Sequence, residues 1–598
     1  MKTYFTVRWP GILLALPLLI PVSLFLSCNK VDLGVTEIQS SFLQKGSALK
    51  TNSSVSGFVT DETDQPVINA KVLAGNKICV TDEYGFFELK DADVTADVAV
   101  VTIIKTGYFK GIKTFIPVAN QDAFFRIKLI PKTIAGNVNA VNGGVVTLTN
   151  GLSISFPANS IVSDASGAVY SGTVNVAAFW INPSADDLNK VMPGDLRAMN
   201  SNSEMKKLTS YGMAAVELTG TSGEKLQIAP GKNATITMPM SAQVASQAPA
   251  ILPLWYFDEG KGLWKEQGHA VRKGNVYVGD VSHFSFWNCD TDETFVDFEC
   301  TVVNEAGDPL NNVLVKITAV NDPNNNNSCY TNAHGYAAGA IPSNKLLRLD
   351  VLGDAACGGT PVYTQTFTAT NNISLPLIRV NSRAGIASVS GTVKNCNNNP
   401  VSKGGIIMQK NGQYYRYAVG KQGAYHFTTI LCNSNADVSL MAYDADAAVY
   451  SKENNYTITT AANTNIDILA CGNSSSQFIN YTINDVVYSF TYPAATFAPV
   501  TPGSNFTFAV SNDMTNENAG FQCSAINIST NTSQTLSYFM ASQANEPLTI
   551  SSPILVNITE HGTTDQIFAG NFSGIFRGPA PNYTTYNITC SFRVKCQL

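Results

Sequence analysis

The segment Ser282-His283-Phe284-Ser285 holds residue types that nucleophilic acyl chemistry uses. A serine hydroxyl is a weak nucleophile, and it attacks a carbonyl carbon efficiently only when a general base such as an imidazole takes its proton. The same residues are also typical of a β-strand. In that interpretation, which we prefer, Phe284 and Phe286 lie on one face of a closing strand, and Ser285 and Trp287 lie on the other.

The other residues that could support catalysis are scattered. The five histidines fall at positions 269, 283, 334, 426 and 561. The chain has no His-Glu-x-x-His, Gly-x-Ser-x-Gly or phosphate-loop motif. His334 and His426 lie beside turns of the repeat, and we interpret them as solvated turn or strand residues. We therefore predict that the chain is not an enzyme and that it has no cofactor and no metal site.

Two acidic groups could offer oxygen ligands to calcium. They are Asp91, Asp93 and Asp97, and Asp290, Asp292 and Glu293. Neither group has the spacing of a known calcium loop, so we interpret both as solvated turns.

Aromatic residues support a different hypothesis, because exposed rings on β-sandwiches can stack on sugars. Two groups qualify, namely Tyr414, Tyr415 and Tyr417, and Trp255, Tyr256 and Trp264. Strand alternation places Tyr415 and Tyr417 on one face and Tyr414 on the other. Packing in a core or at its rim is the interpretation we prefer, with glycan binding as the alternative.

Bulk composition narrows the class of protein. The chain has 598 residues, so several domains are expected. Charged residues make up 14%, well below the roughly 25% of average soluble proteins, which suits β-rich extracellular modules. A net charge of −6 is small for this length and favours neither nucleic acid nor an anionic membrane surface as a partner.

The N-terminus has the features of a targeting segment. Lys2 and Arg8 precede an apolar stretch over residues 11–26, which is shorter than the about 20 residues of a comfortable membrane span. The stretch ends in Leu24-Phe25-Leu26-Ser27-Cys28, which resembles a bacterial lipobox. The resemblance implies a lipoprotein signal peptide over residues 1–27 and an acylated, palmitate-bearing Cys28. The alternative is an ordinary cleaved signal.

The polar residues 28–52 follow as a tether. The residue after Cys28 is Asn29, not the Asp that retains some lipoproteins in the inner membrane. We therefore expect an outer-membrane lipoprotein, either periplasmic or surface-exposed. The chain would contact the membrane through this lipid anchor. A protein or a glycan could be its ligand, and the sequence does not identify which.

The cysteines fit an exported chain in which disulfides are permitted. Besides Cys28 there are 11, so at least one is unpaired, and Cys79 is the first choice because it stands far from the others. Cys590 and Cys596 cannot pair if they share a straight strand. We expect local pairs such as Cys329–Cys357 and Cys396–Cys471.

One pattern occurs three times along the chain. Its copies are Gly57-Phe58-Val59-Thr60 through Thr81-Asp82-Glu83-Tyr84-Gly85, Thr301-Val302-Val303 through Thr331-Asn332-Ala333-His334-Gly335, and Gly391-Thr392-Val393 through Lys421-Gln422-Gly423. Each joins β-branched strands by polar turns with glycine where a positive φ is needed. A repeated small β unit predicts an all-β fold of tandem β-sandwich modules.

The repeat resembles the carboxypeptidase-regulatory-like domain, a non-catalytic, seven-stranded, transthyretin-like sandwich. The resemblance implies one such module over residues 53–132 and divergent copies over 291–388 and 389–471. A final β domain is predicted over residues 472–598, with an extension of the third copy as the alternative.

Residues 133–290 resemble a ZU5-type β-sandwich, with a glycine turn at Gly143-Gly144 and the motif Phe156-Pro157-Ala158-Asn159-Ser160-Ile161. Some relatives of that type cut themselves within His-Phe-Ser. This resemblance implies His283 as base, Ser285 as nucleophile and the Phe284–Ser285 peptide bond as the one broken. The sequence thus predicts a non-catalytic, lipid-anchored binding or adhesion scaffold, with self-cleavage and glycan capture as alternatives.

Overall fold

The computed structural model describes residues 49–353, 358–381, 385–446, 449–460 and 462–471, and parts of 478–597. Residues 48–598 form one compact unit. Strands dominate the described part, which contains almost no helix, and this confirms the all-β prediction. No helix among these residues is long and apolar enough to cross a membrane. Cys28, the proposed lipid site, lies outside the described residues.

The first module contains seven strands. They are β1 (Lys50–Thr60), β2 (Lys71–Ala74), β3 (Lys77–Val80), β4 (Phe86–Thr95), β5 (Ala99–Ile104), β6 (Gly111–Phe115) and β7 (Ala123–Lys128). Two sheets, ordered β4-β1-β7 and β3-β2-β5-β6, pack face to face. Val59, Val72, Phe87 and Val101 are buried between them, because alternate residues of each strand point inward.

The second module is built on one large sheet system of thirteen strands. Its elements are β8 (Ile134–Asn139), β9 (Gly144–Thr147), β10 (Ser153–Phe156), β11 (Ile161–Ser163), β12 (Thr173–Ile181), α1 (Leu188–Val191), β13 (Arg197–Met199), β14 (Met205–Thr219), β15 (Lys225–Ile228), β16 (Ala234–Pro239), α2 (Ala242–Ala245), β17 (Ile251–Asp258), β18 (Leu263–Lys273), β19 (Val276–Val281) and β20 (Phe286–Glu293). One of its two apolar clusters also contains Phe109, Ile112 and Ile130 of the first module. The two modules therefore share a core.

The third module repeats the sandwich plan. Its strands are β21 (Phe295–Asn304), β22 (Leu314–Ala319), β23 (Asp322–Tyr330), β24 (Tyr336–Pro342), β25 (Leu346–Leu352), β26 (Pro361–Thr368), β27 (Ile373–Ser374) and β28 (Ile378–Val380). As β1 does in the first module, β21 pairs antiparallel with one neighbour and parallel with the strands that close the module.

The fourth module has the same pairing around its first strand. Its elements are β29 (Ile386–Asn395), β30 (Gly404–Lys410), β31 (Gln413–Ala418), a 3-10 turn (Lys421–Gly423), β32 (Ala424–Ile430), β33 (Asn435–Asp444), β34 (Val449–Tyr450), β35 (Asn454–Thr459), β36 (Ala462–Asn463) and β37 (Ile468–Ala470).

The last module is a ten-stranded sheet system. Its strands are β38 (Phe478–Ile483), β39 (Val486–Thr491), β40 (Ala494–Phe497), β41 (Phe508–Ser511), β42 (Ala519–Ser524), β43 (Ser533–Ala541), β44 (Thr549–Ile550), β45 (Leu555–His561), β46 (Ile567–Arg577) and β47 (Thr585–Gln597). Cys590 and Cys596 both belong to β47, as expected.

The repeated turn is held by one glycine position in all three copies. Gly85, Gly335 and Gly423 have φ values of 73°, 72° and 72°. A Cβ atom at each would come within 2.3 Å of a carbonyl oxygen of the module's first strand. Only glycine meets both conditions without strain.

The cysteines partly follow the sequence prediction. Cys396 and Cys471 form a disulfide, as predicted, and Cys79 is a free, buried thiol. The predicted Cys329–Cys357 pair is wrong, because Cys329 is a free thiol. Cys329 and Cys79 occupy the same place in two repeats, each two residues before the turn threonine, and in both modules that place faces the core.

The side chain of a buried arginine, Arg126, connects three of the modules. Arg126 of β7 donates to Asn312 Oδ1 in the third module at 2.9 Å and to the carbonyl oxygen of Tyr414 in the fourth at 2.7 Å. Its guanidinium also lies 5.0 Å from the ring centroids of Phe58 and Tyr415. Because three modules meet around one arginine, they cannot be a string of independent spacers.

Candidate functional site

The segment Ser282–Ser285 forms the bend between β19 and β20. His283 packs edge-to-face on Tyr256, with ring centroids 4.6 Å apart, and also lies against Trp287. Burial lowers the pKa of His283, so its imidazole is neutral at neutral pH and can accept a proton. Its Nδ1 atom lies 3.5 Å from the hydroxyl of Ser282.

The side chain of Gln227 forms hydrogen bonds with both main-chain polar groups of Phe284. Gln227 Oε1 accepts from the Phe284 N–H at 2.7 Å, and Gln227 Nε2 donates to the Phe284 carbonyl oxygen at 3.1 Å. The Ser285 hydroxyl donates to the carbonyl oxygen of Phe286 at 3.1 Å. The structure therefore polarises the carbonyl group that Ser285 would attack, while the Ser285 hydroxyl points along β20.

The prediction that Phe284 and Phe286 share a strand face is wrong. The strand begins only at Phe286, and the bend before it rotates Phe284 into a different core. Phe284 packs with Phe156 and belongs to the same cluster as Trp287, whereas Phe286 belongs to the cluster shared with the first module.

The tyrosine group is not an exposed sugar platform. Tyr415 and Tyr417 are 6% and 7% exposed, and Tyr414 packs on Tyr84 of the first module at 5.1 Å. The group fills the fourth module's core and its junction with the first, so the glycan alternative at these residues is wrong. Trp255 and Trp264 are fully buried, as the preferred interpretation predicted.

The second acidic group is not a solvated turn either. Asp290 is completely buried in β20, and burial raises the pKa of its carboxyl group well above the usual range. Asn288 Nδ2 donates to it at 2.5 Å. Among the described residues, no cluster of three or more histidine, cysteine or acidic side chains could hold a metal ion.

A cleft opens where the first three modules meet. It has a volume of about 130 Å³ and is lined mainly by apolar side chains, among them Phe115, Phe125, Phe298 and Ile341. An apolar cavity of roughly 150 Å³ accommodates a benzene ring in other proteins. The cleft therefore has room for a group of about that size.

The cleft exists because the third module lacks two large core side chains. Counted from the turn glycine, the inward positions of the following strand hold Phe87 and Leu89 in the first module and Tyr425 and Phe427 in the fourth. The third module has Ala337 and Gly339 there. A Cβ atom built on Gly339 would meet no atom within 4 Å, so the space is open.

Two hydroxyl groups on the first module's side of the cleft lack partners. Ser53 Oγ and Thr114 Oγ1 are buried without a hydrogen bond, although both residues line the cleft. A buried polar atom without a partner costs free energy that a ligand's hydrogen bond would recover. This cleft was not predicted from the sequence, where its only signal is the run Ala337-Ala338-Gly339-Ala340 in place of the bulky residues of the other repeats.

Comparisons with known proteins give partial similarity. No protein-family model matches the chain. Cartilage intermediate layer protein 2 of Homo sapiens is 25% identical over 229 residues, which are 36% of this chain and 19% of that protein. The Mus musculus protein of the same name is 26% identical over 231 residues, with the same coverage. The chain thus spans about a fifth of the length of these relatives.

Two solved pilin structures show low similarity to this chain. A streptococcal ancillary pilin is 11% identical, with 38% of this chain and 95% of that chain covered and a TM-score of 0.14. BcpA, the major pilin subunit of Bacillus cereus, is 8% identical, with 70% and 99% covered and a TM-score of 0.11.

Proposed function

We propose that the chain is a non-catalytic binding and adhesion scaffold of the cell envelope, anchored in the outer membrane by acyl chains on Cys28. The lipobox-like N-terminus supports the anchor. The packing of the modules into one unit supports a rigid scaffold, because a surface built from several modules keeps its shape only if they are fixed to one another.

The observation that carries the binding function is the cleft between the first three modules. Its mainly apolar lining and its two hydroxyl groups without partners suit a ligand with an aromatic or similarly compact apolar part and a polar substituent. The partner chemistry is thus a phenol-like group, on a small molecule or at the end of a larger ligand.

Filling the open core position should weaken ligand binding. We expect phenol to bind the purified full chain, and Gly339→Leu, which copies Leu89 of the first module, to weaken that binding by roughly tenfold or more. Isothermal titration with phenol and with benzene measures the effect. Thr114→Val should weaken the binding of phenol but not that of benzene, because it removes only a hydroxyl group.

Thr366→Leu is the matched control, because it adds the same side chain to an exposed position of β26 in the same module. It should bind phenol like the unmodified chain. If neither probe binds the unmodified chain, or if Gly339→Leu binds phenol as tightly as the unmodified chain does, the cleft is not a ligand site.

The mass of the mature N-terminal peptide tests whether Cys28 carries the lipid anchor. We expect the protein extracted from membranes to begin at Cys28 with acyl chains attached, and Cys28→Ala to be released from the membrane fraction. Mass spectrometry of the N-terminal peptide and fractionation of the cells measure both. An N-terminus elsewhere, or a Cys28 without lipid, contradicts the proposal.

Self-cleavage at Phe284–Ser285 is a second candidate, favoured by the clamp of Gln227 on Phe284. In the reaction, the Ser285 hydroxyl attacks the Phe284 carbonyl carbon and gives its proton to His283. The amide C–N bond then breaks, the Ser285 nitrogen takes the proton, and water hydrolyses the resulting ester. A new N-terminus at Ser285 that disappears in Ser285→Ala would establish it, whereas an uncut mature chain would eliminate it.

A further inference from the structure

A lysine lies fully buried where the second and third modules meet. Lys207 of β14 has no exposed surface. Its Nζ atom lies 3.1 Å from Oδ1 of Asn325 and 3.3 Å from the carbonyl oxygen of Leu208. Lysine is almost never completely buried without a carboxylate in direct contact. The nearest side-chain partner here is instead a carboxamide, which is an electrophile towards a neutral amine.

The carboxamide of Asn325 is itself held from the opposite side. Asn325 lies in β23 and is 2% exposed. Its Nδ2 atom donates to Glu293 Oε1 at 2.5 Å. Glu293 lies directly opposite Lys207 in the pairing of β14 with β20, and its other oxygen is 2.5 Å from Lys345 Nζ. One carboxamide is therefore fixed between an amine and a carboxylate.

The surroundings favour the reactive form of the amine. Burial lowers the pKa of Lys207 to about 8, so roughly a tenth of the amine is neutral at pH 7 and about half at pH 8. A neutral, desolvated amine is a nucleophile, and a carboxylate in contact with the leaving group can carry protons for it.

We infer that Lys207 and Asn325 form an intramolecular isopeptide bond across the junction of the second and third modules, with Glu293 as the catalytic residue. Nζ of Lys207 attacks Cγ of Asn325 and forms a C–N bond. Glu293 takes a proton from the attacking nitrogen and passes it to Nδ2. The bond from Cγ to Nδ2 breaks, and ammonia leaves. No oxidant, reductant or further reactant is needed.

The bond has a consequence for the chain as a whole. It closes a covalent loop from Lys207 to Asn325, and this loop contains the Phe284–Ser285 peptide bond. A chain that was both cut there and cross-linked would not separate into two pieces under denaturing conditions. The cross-link thus goes beyond the proposed binding function and would lock two of the scaffold modules against mechanical separation.

The test is the mass of the full chain and of its tryptic peptides. We expect the chain to be lighter by one ammonia than its acylated sequence, and a branched peptide to join the segments that contain Lys207 and Asn325. Lys207→Met and Asn325→Ala should restore the missing mass. Glu293→Gln should slow formation of the branched peptide by roughly 100-fold or more.

Lys345→Met is the matched control, because it removes the neighbour of Glu293 that does not contact the carboxamide; it should still cross-link. Circular dichroism confirms that each variant is folded. A full-mass chain without the branched peptide overturns the inference, as does a branched peptide that persists in Lys207→Met. Acylation is read from the N-terminal peptide, so the failure of the anchor and the failure of the cross-link are distinguishable.

Discussion

Replacing Arg416 by Met should lower the free energy of unfolding by about 3–5 kcal/mol, because it leaves Asp82 buried without its cation. Arg416 of β31 bonds to Asp82 of the first module at 2.8 Å, and both side chains are largely buried. The guanidinium also lies 4.4 Å from the ring centroid of Phe86 and 3.9 Å from that of Tyr443. Urea unfolding followed by circular dichroism measures the loss.

The repeat itself supplies the control for this prediction. Asn332 replaces Asp82 in the third module's turn, and its Oδ1 accepts from the N–H groups of His334 and Tyr336 as Asp82 does from Tyr84 and Phe86. Asp82→Asn should therefore keep the turn. The double variant Arg416→Met/Asp82→Asn should recover about 2 kcal/mol or more of the loss. Equal losses in the single and double variants would show that Arg416 acts only through packing.

The repeated units of the fold could be predicted because their signals are local. The turn glycines, the alternation of apolar residues and the threonine before the turn all act within a few positions of the chain. Thr81 and Thr331 show this, since each hydroxyl donates to the main chain of its module's preceding loop, at 2.5 and 2.6 Å. Such requirements recur wherever the unit recurs.

The assembly of the units could not be predicted, because it depends on single residues that face other modules. Arg126 and Arg416 look like ordinary strand residues in the sequence. The run Asn324-Asn325-Asn326-Asn327 is typical of a loop, yet it lies within β23, where Asn325 is buried against the second module. Tertiary contacts at the junction outweighed the low strand propensity of asparagine.

The candidate sites also divide into those with local sequence signals and those formed by contacts between modules. His283 and Ser285 were found because they are adjacent in the sequence. The cleft and the Lys207–Asn325 pair were not, because each forms only when separate modules pack together. The burial of Asp290 could not be predicted for the same reason. The local sequence around an aspartate does not distinguish a solvated turn from a buried strand position.

Stability should also rise with pH through the titration of Lys113. This lysine of β6 is 4% exposed, and its Nζ atom donates to the carbonyl oxygens of Asn189 and Met192 at 2.7 and 2.6 Å. Burial lowers its pKa to about 7, although nearby Asp195 acts in the opposite direction. Between that pKa and the value near 10.4 in the unfolded chain, the unfolded state binds more protons.

The free energy of unfolding should therefore increase by about 2 kcal/mol from pH 7 to pH 9 through this group alone, and Lys113→Met should lack that increment. Unfolding in urea at several pH values measures both curves, and their difference removes the contributions of all other groups. Lys110→Met, which alters an exposed ion pair with Glu259, should follow the unmodified chain. If the curves of Lys113→Met and the unmodified chain run parallel, the amine at the junction of the first and second modules does not titrate in this range.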